Sequence, residues 1–106
     1  MEETQEVFTA VFDQNSHYWH ADPDYNRVFL QAQQNYMNHL LTARGHVFLN
    51  EIHDALGMNR TSKGQIVGWL SKDSSSHIDF GVKYDDHDSS WELTFNVQGV
   101  IFEDIE

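Results

Sequence analysis

His17-Tyr18-Trp19-His20 stands just ahead of Asp22 and Asp24, and two imidazoles beside two carboxylates form a donor set suited to zinc or nickel. The spacing matches no zinc-finger or zincin pattern, and a loop ahead of a helix start collects polar side chains for capping in any case. His17 and His20 are therefore expected to be structural, with no metal or cofactor assigned. Glu51 and Asp54 lie three apart on a short predicted helix, so they share a face on which two carboxylates could hold a cation or move a proton. Their more ordinary role is to offset the positive start of that helix. His53 adds an imidazole beside them, and Asp79 sits on a strand whose neighbours Ile78 and Phe80 point the other way, which turns Asp79 outward. His39, His46 and His53 recur every seven residues, but Gly45 interrupts the helix between the first two. No serine lies in a nucleophile elbow, and Thr61-Ser62-Lys63-Gly64 lacks the remainder of a phosphate-binding loop. The sequence assigns no catalytic residue, and the expectation is a protein that is not an enzyme. A metal-dependent hydrolase using His17, His20 and the nearby carboxylates is the weakest reading.

Recognition chemistry is better represented. Tyr18 and Trp19 fall in a loop, and such side chains anchor protein interfaces. Trp69 and Trp91, at strand positions, are expected to fill the core. The chain carries 17 acids against 6 bases, a formal net charge of −11. Residues 1–24 hold six acids and no base, and residues 73–106 hold nine acids against Lys83. This charge opposes direct binding to nucleic-acid backbones and to anionic lipid. It serves solubility first, and second a surface that docks on a basic groove. Asp85, Asp86, Asp88, Glu103 and Asp104 are candidates for that surface, alongside Tyr18 and Trp19. The expected partner is a protein, with self-association as one form of that binding. The alternative is an acidic mimic of nucleic acid that inhibits a host defence or transcription protein.

The elements that must position these groups suggest an α+β fold. Val7, Phe8, Val11 and Phe12 at helical spacing, with Thr4 as a cap, predict an N-terminal helix from Glu2 to Gln14. His17 to Ala21 breaks the period and reads as a connection. Asp22-Pro23-Asp24 starts a long second helix that runs to Arg44, and Gly45 supplies a left-handed stop. Tyr25, Val28, Phe29, Ala32, Tyr36, Leu40 and Leu41 are predicted to line its buried face, with Gln and Asn on the other. His46 to Leu49 is a short extended lead-in, Asn50 a cap for a helix through Leu56, and Thr61 a cap for a single turn. Residues 66–70 take strand character, with Gly68 permitting a close backbone approach. Ile78, Phe80, Val82 and Tyr84 alternate with polar residues, as do Trp91, Leu93, Phe95 and Val97, and the stretch from Asp85 to Ser90 joins them as a hairpin loop. The sum is a small antiparallel sheet of about three strands under the long helix. At 106 residues, 40% of them apolar and none of them cysteine, the chain is expected to form a single domain, residues 1–106, held by core packing. No apolar run approaches the ~20 residues that cross a bilayer, so no membrane contact is expected.

Leu49-Asn50-Glu51, Leu56-Gly57, Thr61 with Gly64, Gly68-Trp69, Ile78-Asp79-Phe80 and Gln98-Gly99 follow one another along the chain. In this order they resemble the C-terminal part of an uncharacterised family of small phage and prophage proteins, over about Asn26 to Ile105. Residues 1–21 fall outside the resemblance, and residues 22–106 form the family-like core. The resemblance implies a mobile-element origin and no particular reaction; with no signal-like opening segment and no bilayer-length apolar run, the expected location is the cytoplasm of a host cell, or a virion.

Overall fold

The computed structural model describes residues 7–72 and 76–102. It contains, in chain order, β1 (Phe8–Phe12), α1 (Pro23–Arg44), β2 (His46–Phe48), α2 (Leu49–Ala55), a 3₁₀ turn (Lys63–Gln65), β3 (Val67–Leu70), β4 (Lys83–Asp85), β5 (Ser90–Phe95) and β6 (Gly99–Val100). The residues that predict α1 also bound it. The Asp22 side chain accepts from the Asp24 N–H at 2.9 Å, and Pro23 fills the first helical position, where an N–H would be orphaned. Gly45, at φ +88°, turns the chain out of the helix while its N–H donates to the Leu41 carbonyl at 2.8 Å.

Residues 7–12 do not form the predicted helix. Phe8 and Ala10 are half-buried and Phe12 is buried, while Val7, Thr9 and Val11 are exposed, which is a period of two. Phe8, Val11 and Phe12 fit a helical period equally well, and a short apolar run does not separate the two. β5 decides between them by pairing antiparallel with this segment from Phe8↔Phe95 to Phe12↔Trp91. The start of the predicted helix, residues 1–6, lies outside the described residues.

The single predicted sheet is two antiparallel sheets of three strands, in the orders β1-β5-β4 and β2-β3-β6. Residues 66–70 therefore contribute to the second sheet and not to the one containing β5. Gly68 is the close approach that makes this possible: it lies between Phe48 and Gly99, and a Cβ there would stand 2.0 Å from the Val47 carbonyl oxygen. One core joins the sheets and helices through Phe12, Leu41, Ile52, Trp69, Phe80 and Leu93. Trp69 and Trp91 are both buried, as expected, and Phe80 meets Phe95 edge to face at 5.7 Å.

Two further departures share one cause. Ile78 and Phe80 face inward as predicted, yet β4 starts at Lys83, and Gly81 at φ +59° breaks the alternation between them. On one side the carbonyls of Phe80 and Asp79 accept from the N–H groups of Thr94 in β5 and Asn96 just after it, at 2.9 and 3.2 Å, and on the other side α1 side chains bind the backbone of residues 78–80. Asn38 donates to the Ile78 carbonyl at 2.9 Å and accepts from the Ile78 N–H at 2.7 Å, and Gln34 accepts from the Phe80 N–H at 2.9 Å. The same two-bond clamp joins Asn26 to His20, Asn50 to Thr61 and Gln98 to Leu70, each bond between 2.7 and 3.1 Å. A primary amide carries a donor and an acceptor side by side, so it satisfies the N–H and the carbonyl of one residue on a side where no strand pairs with it.

This device rotates α1. Asn26, Leu30, Met37 and Leu41 are buried, Phe29 and Leu40 are half-buried, and Tyr25, Val28, Ala32 and Tyr36, which are predicted to be buried, face solvent. It also withdraws Asn50 from its predicted capping role. α2 instead begins after Phe48, whose N–H donates to the Glu51 carboxylate at 2.9 Å.

Asn38→Ala strands both the Ile78 N–H and its carbonyl. It is expected to cost about 2–4 kcal/mol in urea unfolding, the penalty for two unpaired backbone groups. Asn35→Ala, on the exposed side of α1, should stay within ~0.5 kcal/mol. Equal losses from the two variants would show that the clamp contributes nothing.

Candidate functional site

The aromatic loop before α1 and the acidic turn between β4 and β5 meet at one end of the first sheet. The Trp19 indole Nε1 donates to the Ser89 carbonyl at 3.0 Å, and the ring packs half-buried against the core. Trp19 is thus an anchor for the loop. Tyr18 stays 47% exposed, with one side of its ring against Phe29 and Gly57. Asp86 and Asp88 are exposed, whereas Asp85 is half-buried and accepts from the His87 N–H at 3.0 Å, which shapes the turn. Asp13 joins Asp88 in the lining of a shared cleft. Glu103 and Asp104 lie outside the described residues.

The candidate chemical groups are dispersed. His20 Nδ1 accepts from the Asp22 N–H at 3.0 Å, its ring lies 4.5 Å from that of Tyr25, and His17 rests edge-on against Tyr18. Among the described residues no three His, Asp or Glu side chains gather as metal ligands. Glu51 and Asp54 each face an arginine of their own. Arg44 donates to Glu51 at 2.6 Å, and Arg60 donates to both oxygens of Asp54 at 2.9 and 2.6 Å. Partial burial pushes the Glu51 carboxyl up, but the bonds from Arg44 and the Phe48 N–H outweigh it and leave Glu51 below the usual glutamate range. The Arg60 guanidinium likewise holds Asp54 below the usual aspartate range. Asp79 is exposed, as expected, and accepts from the Gly81 N–H.

Two features were missed in the sequence reading. The first is a cleft of about 340 Å³ between residues 9–11 of β1 and residues 57–61, with Asp13, Asn15 and Ser16 also in its lining. β1 is an edge strand, so alternate N–H and C=O groups along its outer side have no ladder partner among the described residues. His53 lines the same cleft while being only 5% exposed. Its Nδ1–H donates to the Asn59 carbonyl at 2.7 Å, whereas its buried Nε2 has no partner. In the neutral ring this tautomer leaves an unused lone pair on Nε2. A signal existed in the spacing, since His53 shares one helical face with Leu49, Ile52 and Leu56.

The second feature is the outer stripe of α1. Tyr25, Val28, Ala32 and Tyr36 follow at three- and four-residue intervals, and Tyr25, Val28 and Tyr36 are each more than half exposed.

A model of a family of unknown function (DUF6353) matches residues 1–104. The match takes in residues 1–21, which the phage-family resemblance leaves out. None of the curated proteins and none of the solved structures matches the chain. Among the described residues no helix is long and apolar enough to cross a membrane.

Glu51→Gln keeps an acceptor for the Phe48 N–H and removes the charge opposite Arg44. Because the folded carboxyl is depressed, its contribution is complete above the unfolded glutamate value of about 4.3 and is lost as pH falls through the folded value. The variant should be about 0.5–1 kcal/mol less stable at neutral pH, and the difference should shrink progressively as pH falls below the unfolded glutamate value in parallel urea titrations. A gap that persists in acid would place the loss elsewhere.

Proposed function

The chain belongs to a family of unknown function, DUF6353, and from its surface chemistry we propose a non-catalytic protein-interaction module of phage or mobile-element origin that binds a host or phage protein in the host cytoplasm. The origin follows the phage-family resemblance, and the location the expectation drawn from the sequence. The observation that carries the reading is the outer stripe of α1. A surface helix ordinarily buries its apolar stripe and gives its amides to water. α1 turns Asn26, Gln34 and Asn38 inward and leaves Tyr25, Val28 and Tyr36 outside. Large side chains held on a rigid helix supply contact area at small entropic cost, which is the character of interface anchors. α1 also carries little of the chain's acidity, with Asp24 against Arg27 and Arg44.

The second reading is the acidic mimic, favoured by the juxtaposition of Asp13 and Asp88 beside the exposed Asp86. Such a surface would steer encounter with a basic groove through charge, so its binding would weaken steeply with salt.

Affinity capture from native host cells compares the two. Replacing Val28 and Tyr36 together with lysine should leave the melting curve within the ~0.5 kcal/mol of ordinary surface changes and remove the captured partner. Capture of the same proteins by wild type and variant would overturn the α1 reading. Replacing Asp85, Asp86 and Asp88 with asparagine should lower the association rate and flatten the salt dependence if the mimic reading holds. An unchanged rate and salt slope would reduce these acids to solubility.

A further inference from the structure

The two edges of the first sheet differ in how they meet another chain. β4 is three residues long and carries Lys83 and Asp85, a short, charged edge that resists pairing. β1 is five residues, Phe-Thr-Ala-Val-Phe, with no charge and no proline, and Val11 within it is exposed. It borders the cleft of about 340 Å³, and His53 in the lining of that cleft holds a buried Nε2 without a partner. An unblunted strand edge, a cleft alongside it and an unused acceptor in its lining together describe a seat for extended backbone.

We propose that this cleft binds an extended peptide segment of another protein, which adds antiparallel to β1 as a further strand and offers a side-chain N–H or O–H donor to His53 Nε2. In strand addition the backbone bonds supply affinity and the alternate side chains supply selectivity. Met58 gives the far wall an apolar contact, and Asn59 and Thr61 give it polar ones. Charge selects the occupant. Asp13 follows β1 and lines the cleft, and the chain carries a formal net charge of −11, so a second copy meets like charge here. A stretch of about five apolar or β-branched residues flanked by lysine or arginine is complementary. This site shares no residue with the outer stripe of α1 and stands or falls independently of it.

The test uses the full chain and a labelled synthetic peptide, Lys-Lys-Val-Thr-Val-Thr-Val-Lys-Lys, followed by fluorescence anisotropy. Two versions are methylated on backbone nitrogens at alternate positions, so that one set faces β1 and the other faces away. Saturable binding is expected, weakened at least about tenfold by one methylation set, because two or three backbone hydrogen bonds go with it. The other set should change it by no more than about twofold. The peptide should also slow hydrogen exchange in β1 and move the imidazole nitrogen resonance of His53 Nε2, which binding elsewhere would leave in place. Absence of saturable binding up to about 1 mM, or equal losses from both methylation sets, overturns the proposal. A dimer of the chain alone that competes with the peptide would assign the edge to a second copy and overturn the choice of partner.

Discussion

The rest of this fold depends on a bond usually counted as a detail, the two-point contact of a side-chain amide with one residue's N–H and carbonyl. Backbone without a ladder partner cannot enter a core unless something replaces that partner. Here Asn38, Asn26 and Asn50 replace it at three separate places, and Gln98 closes the side of Leu70 that β6 does not reach. The Asn38 and Asn26 clamps fasten irregular segments to α1, and the Asn50 clamp fastens the segment before β3 to α2. Two small sheets and two helices can then share one core although the chain between them is largely irregular.

The inverted face of α1 is a consequence of this arrangement. Asn26, Gln34 and Asn38 must point toward the segments they hold, and residues on the opposite side of the same helix then point to water whatever their polarity. Tyr25, Val28 and Tyr36 are exposed for a structural reason that lies on the other face of the helix. Packing thus produces a candidate recognition surface without any strain at that surface.

Local chemistry was legible in the sequence, and the pairing of distant segments was not. Asp22, Pro23 and Gly45 define the ends of α1 because caps act within a few residues. The hydroxyl of Thr61 accepts from the Gly64 N–H, and Gly68 leaves room for the Val47 carbonyl where a side chain would stand, both as expected. The strand character of residues 8–12 depends on β5, more than seventy residues away, and no local pattern contains that information. The rotation of α1 was hidden for a similar reason: an amide at a helical position looks like solvent-facing polarity until the backbone it serves is known. The acids proved legible as charge but not as a surface, since Asp85 shapes its own turn and Asp86 and Asp88 remain free of it. The clustering of the aromatic loop with that turn rests on one indole bond from Trp19 to Ser89.

The register that joins Phe8 to Phe95 also sets an order of events during synthesis. α1, β2, α2 and β3 are neighbours along the chain and can associate as soon as they leave the ribosome, whereas β1 emerges first and waits for β5. At roughly 5–20 residues per second that wait lasts several seconds, during which an uncharged strand of Phe, Thr, Ala, Val and Phe has neither of its edges covered. The acids on both sides of it in the sequence, Glu2, Glu3, Glu6 and Asp13, then act as gatekeepers, keeping nascent copies on neighbouring ribosomes from pairing with one another before the proper partner arrives.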